Sequence, residues 1–226
     1  MDGNGRWAQR RGLPRVLGHR MGVEAVREIL FLATELGLEY LTLYTFSMEN
    51  WQRPVEEVTY LMELFTHLLY EEVDNLKRRG VRVHMLGKRE FLPEQVDRAL
   101  RYVEQETAGG QGVHLYLALS YGGRAELVDA ARRLTRYVCE GKLRPEDLDE
   151  QKFREALYAP ELPDVDLLIR TSGEWRISNF LLWQVAYAEL YITSTHWPDF
   201  RTEEFLRALE AYARRERRFG GVPGGA

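Results

Sequence analysis

The sequence predicts a single α/β domain, a central and mostly parallel sheet with helices on its faces, and three observations predict it. Short runs of apolar β-formers alternate with stretches of helical period along the chain. The first such run, LEYLTLYTF at 38–46, is nearly continuous in apolar residues. That suits a strand buried on both faces of a parallel sheet. No low-complexity linker and no internal repeat divides the 226 residues, so one sizeable domain is favoured over two.

Each element follows from its pattern. Val23, Val26, Ile29, Leu30 and Ala33 share one face of a helix over 22–36, which Gly37 is placed to end. After the strand at 38–46, a long amphipathic helix runs from Pro54 to about Arg79. Its apolar face, from Val55 and Val58 through Leu61, Met62, Phe65, Leu68, Leu69 and Val73 to Leu76, is broader than one sheet contact needs. Packing on the sheet accounts for most of it. The sharper reading is an elongated apolar pocket between this helix and the one at 22–36. Next come a strand VRVHMLG at 81–87, a helix from Pro93, a strand at 113–123 and a helix over 124–138. A further helix precedes the strand VDLLIRTS at 165–172. A helix near 177–187, a short strand ELYIT at 189–193 and a helix from Thr202 to about Arg217 complete the chain.

Composition narrows the function classes. With 45% apolar residues and no apolar run of bilayer length, the chain reads as globular and not membrane-spanning. No signal-peptide pattern opens it. Cys139 is the single cysteine, so disulfide frameworks and cysteine metal sites are excluded. It reads as a buried small hydrophobe in a reducing, cytoplasmic compartment. A net charge of −4 argues against a nucleic-acid binder. The arginines nevertheless cluster at Arg6, Arg10, Arg11, Arg15 and Arg20, at Arg53, at Arg170 and Arg176, and from Arg214 to Arg218, which points to a local anionic ligand. Arg10, Arg11 and Arg214 read as solvated surface.

Three stretches carry chemistry. In MDGNGRWA, Gly3, Gly5 and Ala8 fit a dinucleotide fingerprint, but the next strand ends without the acid that would take a ribose, and the fingerprint has no use for Asp2. A glycine loop leading to a helix, with Arg6 and Arg15 nearby, suits a diphosphate without its nucleotide. A carboxylate beside a diphosphate is repelled unless a divalent cation lies between them, which makes Asp2 a candidate Mg2+ ligand. FSMENWQRP places Ser47, Glu49, Asn50, Trp51 and Arg53 at the carboxyl end of the first strand, where ligands bind in open parallel sheets; Ser47 or Asn50 also suits a helix cap. RTSGEWRISNF brings Arg170, Arg176 and Ser178 around a glycine turn, fit for a second phosphate group, with salt bridges to Glu174 and Asp166 as the plainer alternative. Glu189, among apolar residues, reads as a buried carboxylate needing a metal or an arginine, and is the candidate second metal ligand.

Together MDGNGRWA, GHRMG, TLYTFSMENWQRP, RTSGEWRISNFLLWQVAYAELY, WPDF and RERRFGG closely resemble the cis-prenyltransferases, over residues 1 to about 221. The resemblance implies one domain over 1–226 with a sheet of about six strands and an elongated apolar tunnel. It implies Mg2+-dependent condensation of isopentenyl diphosphate onto an allylic diphosphate, usually farnesyl diphosphate, to make a long polyprenyl diphosphate. A shorter product, or a non-catalytic partner subunit, is the alternative. Asp2 would be catalytic and bind Mg2+ with Glu189. Gly3, Asn4, Gly5, Arg6, Arg15 and His19 would hold the allylic diphosphate, with Trp7 near its head. Ser47, Met48, Glu49, Asn50, Trp51 and Arg53 would shape the reacting centre, and Arg170, Arg176, Ile177 and Ser178 would bind isopentenyl diphosphate. Asn50 is assigned to proton transfer, but a neutral amide is a poor base, so positioning an oxygen is expected of it.

The implied assembly is a homodimer whose C-terminal tail, with Arg218 and Gly220, reaches the neighbouring site. Loose membrane contact for product release is also implied. Two departures stand out. The family carries an apolar strand ahead of the aspartate, expected here but missing from the chain as given, and some members have histidine in place of Trp175. Asp2, Arg15, Arg53, Arg170 and Arg176 are all present, which disfavours a non-catalytic subunit. A trans-type synthase would be helical, with aspartate-rich motifs that this chain lacks.

Overall fold

In a computed structural model, which describes residues 1–216, the alternation resolves into five strands in two sheets, every pair parallel. β1 (Tyr40–Ser47), β2 (Arg82–Leu86) and β3 (His114–Tyr121) form a three-stranded sheet of order β1-β3-β2, with Leu43 opposite Leu117 and Met85 opposite Leu117 on the other side. β4 (Leu167–Arg170) pairs only with β5 (Glu189–Ile192), Leu168 opposite Leu190. The expected sheet of about six strands is therefore corrected to three plus two. The free edges of β1 and β4 both line one cavity of about 1400 Å3, and no main-chain ladder crosses it.

The helices are α1 (Asn4–Gln9), α2 (Arg15–Glu35), α3 (Val55–Arg78), α4 (Glu94–Glu106), α5 (Gly123–Cys139), α6 (Glu150–Glu155) and α7 (Thr202–Ala213). α2 begins a full two turns before the apolar period because its first turns pack through Gly18 and Gly22, which carry no apolar side chain, while Leu17 and Met21 are exposed. Gly37 ends it in the left-handed region at φ 67°, as its position suggested. The helix expected near 177–187 is absent. Ser178, Asn179 and Leu181 take positive φ, and the segment runs in turns whose buried Phe180 and Leu181 pack against the sheet. α7 stops at Ala213, one turn short of expectation. Cys139 is exposed, not buried, because it is the last residue of α5 and has turned off the packed face.

Both faces of the sheet are covered. On β3, Leu115, Leu117 and Leu119 face a core built with α2, α3 and α4, while Tyr116, Ala118 and Tyr121 face one that includes Phe180 and Leu181. The broad face of α3 divides between two duties. Met62, Leu69, Val73 and Leu76 are buried in the core, and Leu61, Phe65 and Leu68 join Val23, Val26 and Leu30 of α2 around an apolar cavity of about 270 Å3. No helix among the described residues is long and apolar enough to cross a membrane.

Candidate active site

Asp2 is fixed by its own main chain. Its N–H donates to Thr171 Oγ1 at 2.9 Å, and its carbonyl accepts from the hydroxyls of Thr171 and Ser172, at 2.8 and 2.9 Å, and from the Trp197 N–H at 3.0 Å. Gly3 must follow, at φ 106°, since a Cβ there would lie 2.1 Å from Ser172 Oγ. α1 then lies across α2 so closely that a Cβ on Gly18 would come within 2.0 Å of the Asn4 carbonyl oxygen. Sequence order thus converts a flexible-looking loop into a rigid shelf at the carboxyl ends of β1 and β4.

The Asp2 carboxylate is shared between two cations, Arg170 Nη2 at 2.9 Å and Arg6 Nη2 at 3.1 Å. Burial alone would raise its pKa. The hydrogen bond and charge of Arg170, reinforced by Arg6, outweigh burial and hold the group below the usual aspartate value. Arg6 also donates to Glu174, which takes Arg176 on its other oxygen. The salt-bridge alternative is thus realised for Arg176, whereas Arg170 turns to Asp2 and to Ser178 Oγ at 3.0 Å.

A second cationic group sits at the start of α2 and α3. Glu57 gathers Arg53 at 3.1 Å, Arg15 at 3.6 Å and His19 at 3.6 Å. Burial, and the charges of Arg53 and Arg15, lower the His19 pKa against the opposing pull of Glu57. Arg15 lies over Gly5, whose absent side chain makes the room. The loop after β1 is a capping box, in which the Ser47 N–H donates to Asn50 Oδ1 at 3.0 Å. That commits the oxygen of Asn50 and leaves its NH2 for a ligand. Glu49 accepts from Asn179 Nδ2 at 2.9 Å, which ties the loop after β1 to the loop after β4.

Asp2, Gly3, Asn4, Gly5, Arg6, Arg15, His19, Ser47, Glu49, Asn50, Arg53, Arg170, Arg176, Ile177 and Ser178 therefore all line the larger cavity. Four residues expected there do not. Trp7 is buried and donates its indole N–H to Asp199 at 2.7 Å. Trp51 packs edge-on to Phe46 and donates to Ser120 Oγ at 2.9 Å, and the same hydroxyl lies 3.3 Å from Met48 Sδ. Trp7 thus anchors α1, and Trp51 and Met48 pack the loop after β1 onto the end of β3. Glu189 is half-buried at the start of β5, outside the cavity, with Arg215 Nη1 at 2.5 Å as its partner. Arg218 and Gly220 lie outside the described residues.

Sequence reasoning missed Glu57, Thr171, Ser172 and His196. Glu57 follows Arg53 by four residues and sits in the first turn of α3, where an acid beside a preceding arginine could have revealed it. His196, 2.8 Å from Ser172 Oγ through Nδ1, had no local signal.

Among the described residues no three carboxylates, imidazoles or thiolates gather into a metal cluster. The donor set still fits Mg2+ of the kind held by one carboxylate and substrate phosphates, with Asp2 supplying that carboxylate. Asn4 Oδ1, His19 Nε2 and Arg170 Nε are buried beside the cavity without hydrogen-bond partners, as groups awaiting a polar ligand would be.

Comparison with known proteins places these features in context. The profile of a prenyltransferase family, described as "Putative undecaprenyl diphosphate synthase", matches residues 1–220. An isoprenyl transferase of Thermotoga maritima is 50% identical over 225 residues, 100% of this chain and 96% of that protein. The ditrans,polycis-undecaprenyl-diphosphate synthase ((2E,6E)-farnesyl-diphosphate specific) of Escherichia coli K12 is 48% identical, covering 100% of this chain and 89% of that one. The crystal structure of lavandulyl diphosphate synthase from Lavandula x intermedia, in complex with dimethylallyl diphosphate, superposes with a TM-score of 0.95 at 38% identity over 97% of this chain and 95% of that chain.

Proposed function

We infer the function from one premise: the chain belongs to this prenyltransferase family of undecaprenyl diphosphate synthases. It condenses isopentenyl diphosphate onto an allylic diphosphate, with farnesyl diphosphate as the starter, and repeats the step to make a long polyprenyl diphosphate of the undecaprenyl type. The observation that carries this reading is the junction of two unlike cavities. Asn4, His19, Leu43, Thr45 and Leu61 line both the large cationic cavity and the apolar one. A molecule with a diphosphate head and a growing hydrocarbon tail is the ligand such a junction suits.

In the proposed reaction the Gly3–Arg6 shelf and Arg15 hold the allylic diphosphate, and Arg170, Arg176 and Ser178 hold that of isopentenyl diphosphate. The allylic C–O bond breaks, its electron pair leaving with the diphosphate, and the alkene of the second substrate attacks the carbon left behind. Fixed guanidinium groups stabilise the charge that develops on the leaving oxygen. A proton then passes from the new unit to a diphosphate oxygen or a water, which sets the double bond. Asn50 orients the acceptor oxygen through its NH2, since its own oxygen is committed to Ser47 and a neutral amide is no base. Mg2+, when bound at Asp2, neutralises charge on the departing diphosphate.

We place the working unit as a homodimer in the cytoplasm, with the C-terminal tail toward the neighbouring site and loose contact with a membrane for product release. Glu189, held by Arg215 within one chain, would reach a metal only by exchanging that partner. Incubation of the purified protein with farnesyl and labelled isopentenyl diphosphates tests the reading, and absence of chain-elongated product would sink it.

A further inference from the structure

The apolar cavity has a polar far end. α2 and α3 run side by side away from Asp2: His19 meets Glu57 near their starts, Arg27 meets Glu72 further along, and the Arg79 guanidinium lies 4.3 Å from the ring centroid of Phe31 near their ends. Between these contacts the facing surfaces are Val23, Val26 and Leu30 against Leu61, Phe65 and Leu68. Arg27 and Glu72 both line the cavity, and they join at 2.6 Å. Each is held in place by its neighbours. Arg27 also bonds Glu24 at 2.6 Å, and Glu72 accepts from Asn75 Nδ2 at 3.0 Å, which itself bonds Arg78.

Hydrocarbon cannot satisfy these groups, so a chain lengthening from the Asp2 end meets a charged barrier where the two helices are tied. The tie is also breakable. Arg27 is 40% exposed and Glu72 21%, and a half-exposed ion pair contributes little to stability. Each added isoprene unit seeks burial in proportion to its apolar surface, so the drive to push the helices apart grows with chain length. A tail that outgrows the cavity of about 270 Å3 needs the helices to yield.

We propose that the Arg27–Glu72 ion pair is a latch between α2 and α3 that sets how long a prenyl chain the protein builds before releasing it. Arg27 and Glu72 are specificity-determining residues on this account, remote from the reacting atoms. The proposal rests on the polyprenyl synthase reading above.

The test sizes the dephosphorylated products formed from farnesyl and labelled isopentenyl diphosphates with Mg2+, compared at equal total incorporation. Arg27→Gln and Glu72→Gln should each move the most abundant product up by at least one isoprene unit. In a Cys139→Ser background, Arg27→Cys combined with Glu72→Cys should do the same, and joining the two thiols with a short bifunctional maleimide should return the distribution to the wild-type length or below. Elongation by wild type with unchanged length in both single variants would overturn the latch alone, as would linked and unlinked thiol variants of equal product length. No elongation by the wild-type protein would overturn the functional reading and the latch with it.

Discussion

The Asp2 carboxylate accepts a hydrogen bond from Arg170 Nη2 at 2.9 Å, while the next residue, Thr171, clasps the Asp2 main chain through both its N–H and its carbonyl. One strand end therefore positions the acid and also partners its charge. Arg170 in turn reaches Ser178, so the Asp2 cluster and the turn after β4 share this arginine. On the proposed reading, a cation that drew Asp2 away would free Arg170 for a phosphate.

Asp2→Ala should abolish turnover while leaving the fold intact. The lost electrostatic arrangement is of the kind worth about 10²–10³-fold in rate or more, whereas the hydrogen bonds that fix Asp2 in the fold come from its main chain and are kept by alanine. Steady-state kinetics and thermal melting on the same sample check both halves. Near-normal kcat would remove Asp2 from the mechanism.

Gly18→Ala should disturb the shelf without touching any ligand. Its Cβ would fall 2.0 Å from the Asn4 carbonyl oxygen, a main-chain atom that cannot step aside. Overpacking of this kind costs about 1–3 kcal/mol, a melting temperature lower by roughly 2–10 °C for a domain of this size. Activity should fall with it, because Asn4 opens α1 directly after Asp2 and Gly3. An unchanged melting temperature would contradict the close approach.

Acidification should destabilise the protein before its carboxylates titrate. His19, His84 and His196 all have pKa values lowered chiefly by burial. The unfolded chain then binds protons more readily than the folded one, so the stability these neutral rings contribute is full above about pH 6.5, the unfolded value, and is lost as pH falls through their folded values. The depressed Asp2 works in the same direction, with its loss confined to below about pH 4. Melting temperature measured from pH 8 to pH 5 should decline below pH 6.5, and His84→Gln should flatten the decline. A flat profile would refute it.

Chelation should stop condensation. With EDTA the arginines remain, but the carboxylate of Asp2 then faces a diphosphate with no cation between them. Added Mg2+ should restore product formation, and undiminished elongation in EDTA would rule out the metal.

Much of this was legible in the sequence. Continuous apolar runs marked β1 and β3 because both faces of the sheet are buried, and Gly37 marked the end of α2 because a left-handed residue was needed there. Among the cavity-lining arginines, Arg53, Arg170 and Arg176 were legible because they sit at or just after strand ends, and Arg6 and Arg15 because they flank a glycine-rich stretch. The segment 177–187 was not, since its apolar residues are spaced as in a helix while Asn179 side-chain bonds and positive φ hold it in turns. Trp7 and Trp51 were misplaced because an aromatic next to a site can support it from behind, and only the partners, Asp199 and Ser120, reveal which way the ring points. Glu189 found an arginine where a metal was expected, and Arg215 lies 26 residues away with no pattern to join them.

The most direct measurement is the product-length profile of the purified protein given farnesyl diphosphate and labelled isopentenyl diphosphate, with Mg2+ and with EDTA. A ladder of chain-elongated polyprenyl diphosphates that depends on Mg2+ is the predicted result. Isopentenyl diphosphate recovered unchanged under both conditions would contradict the assignment at its root.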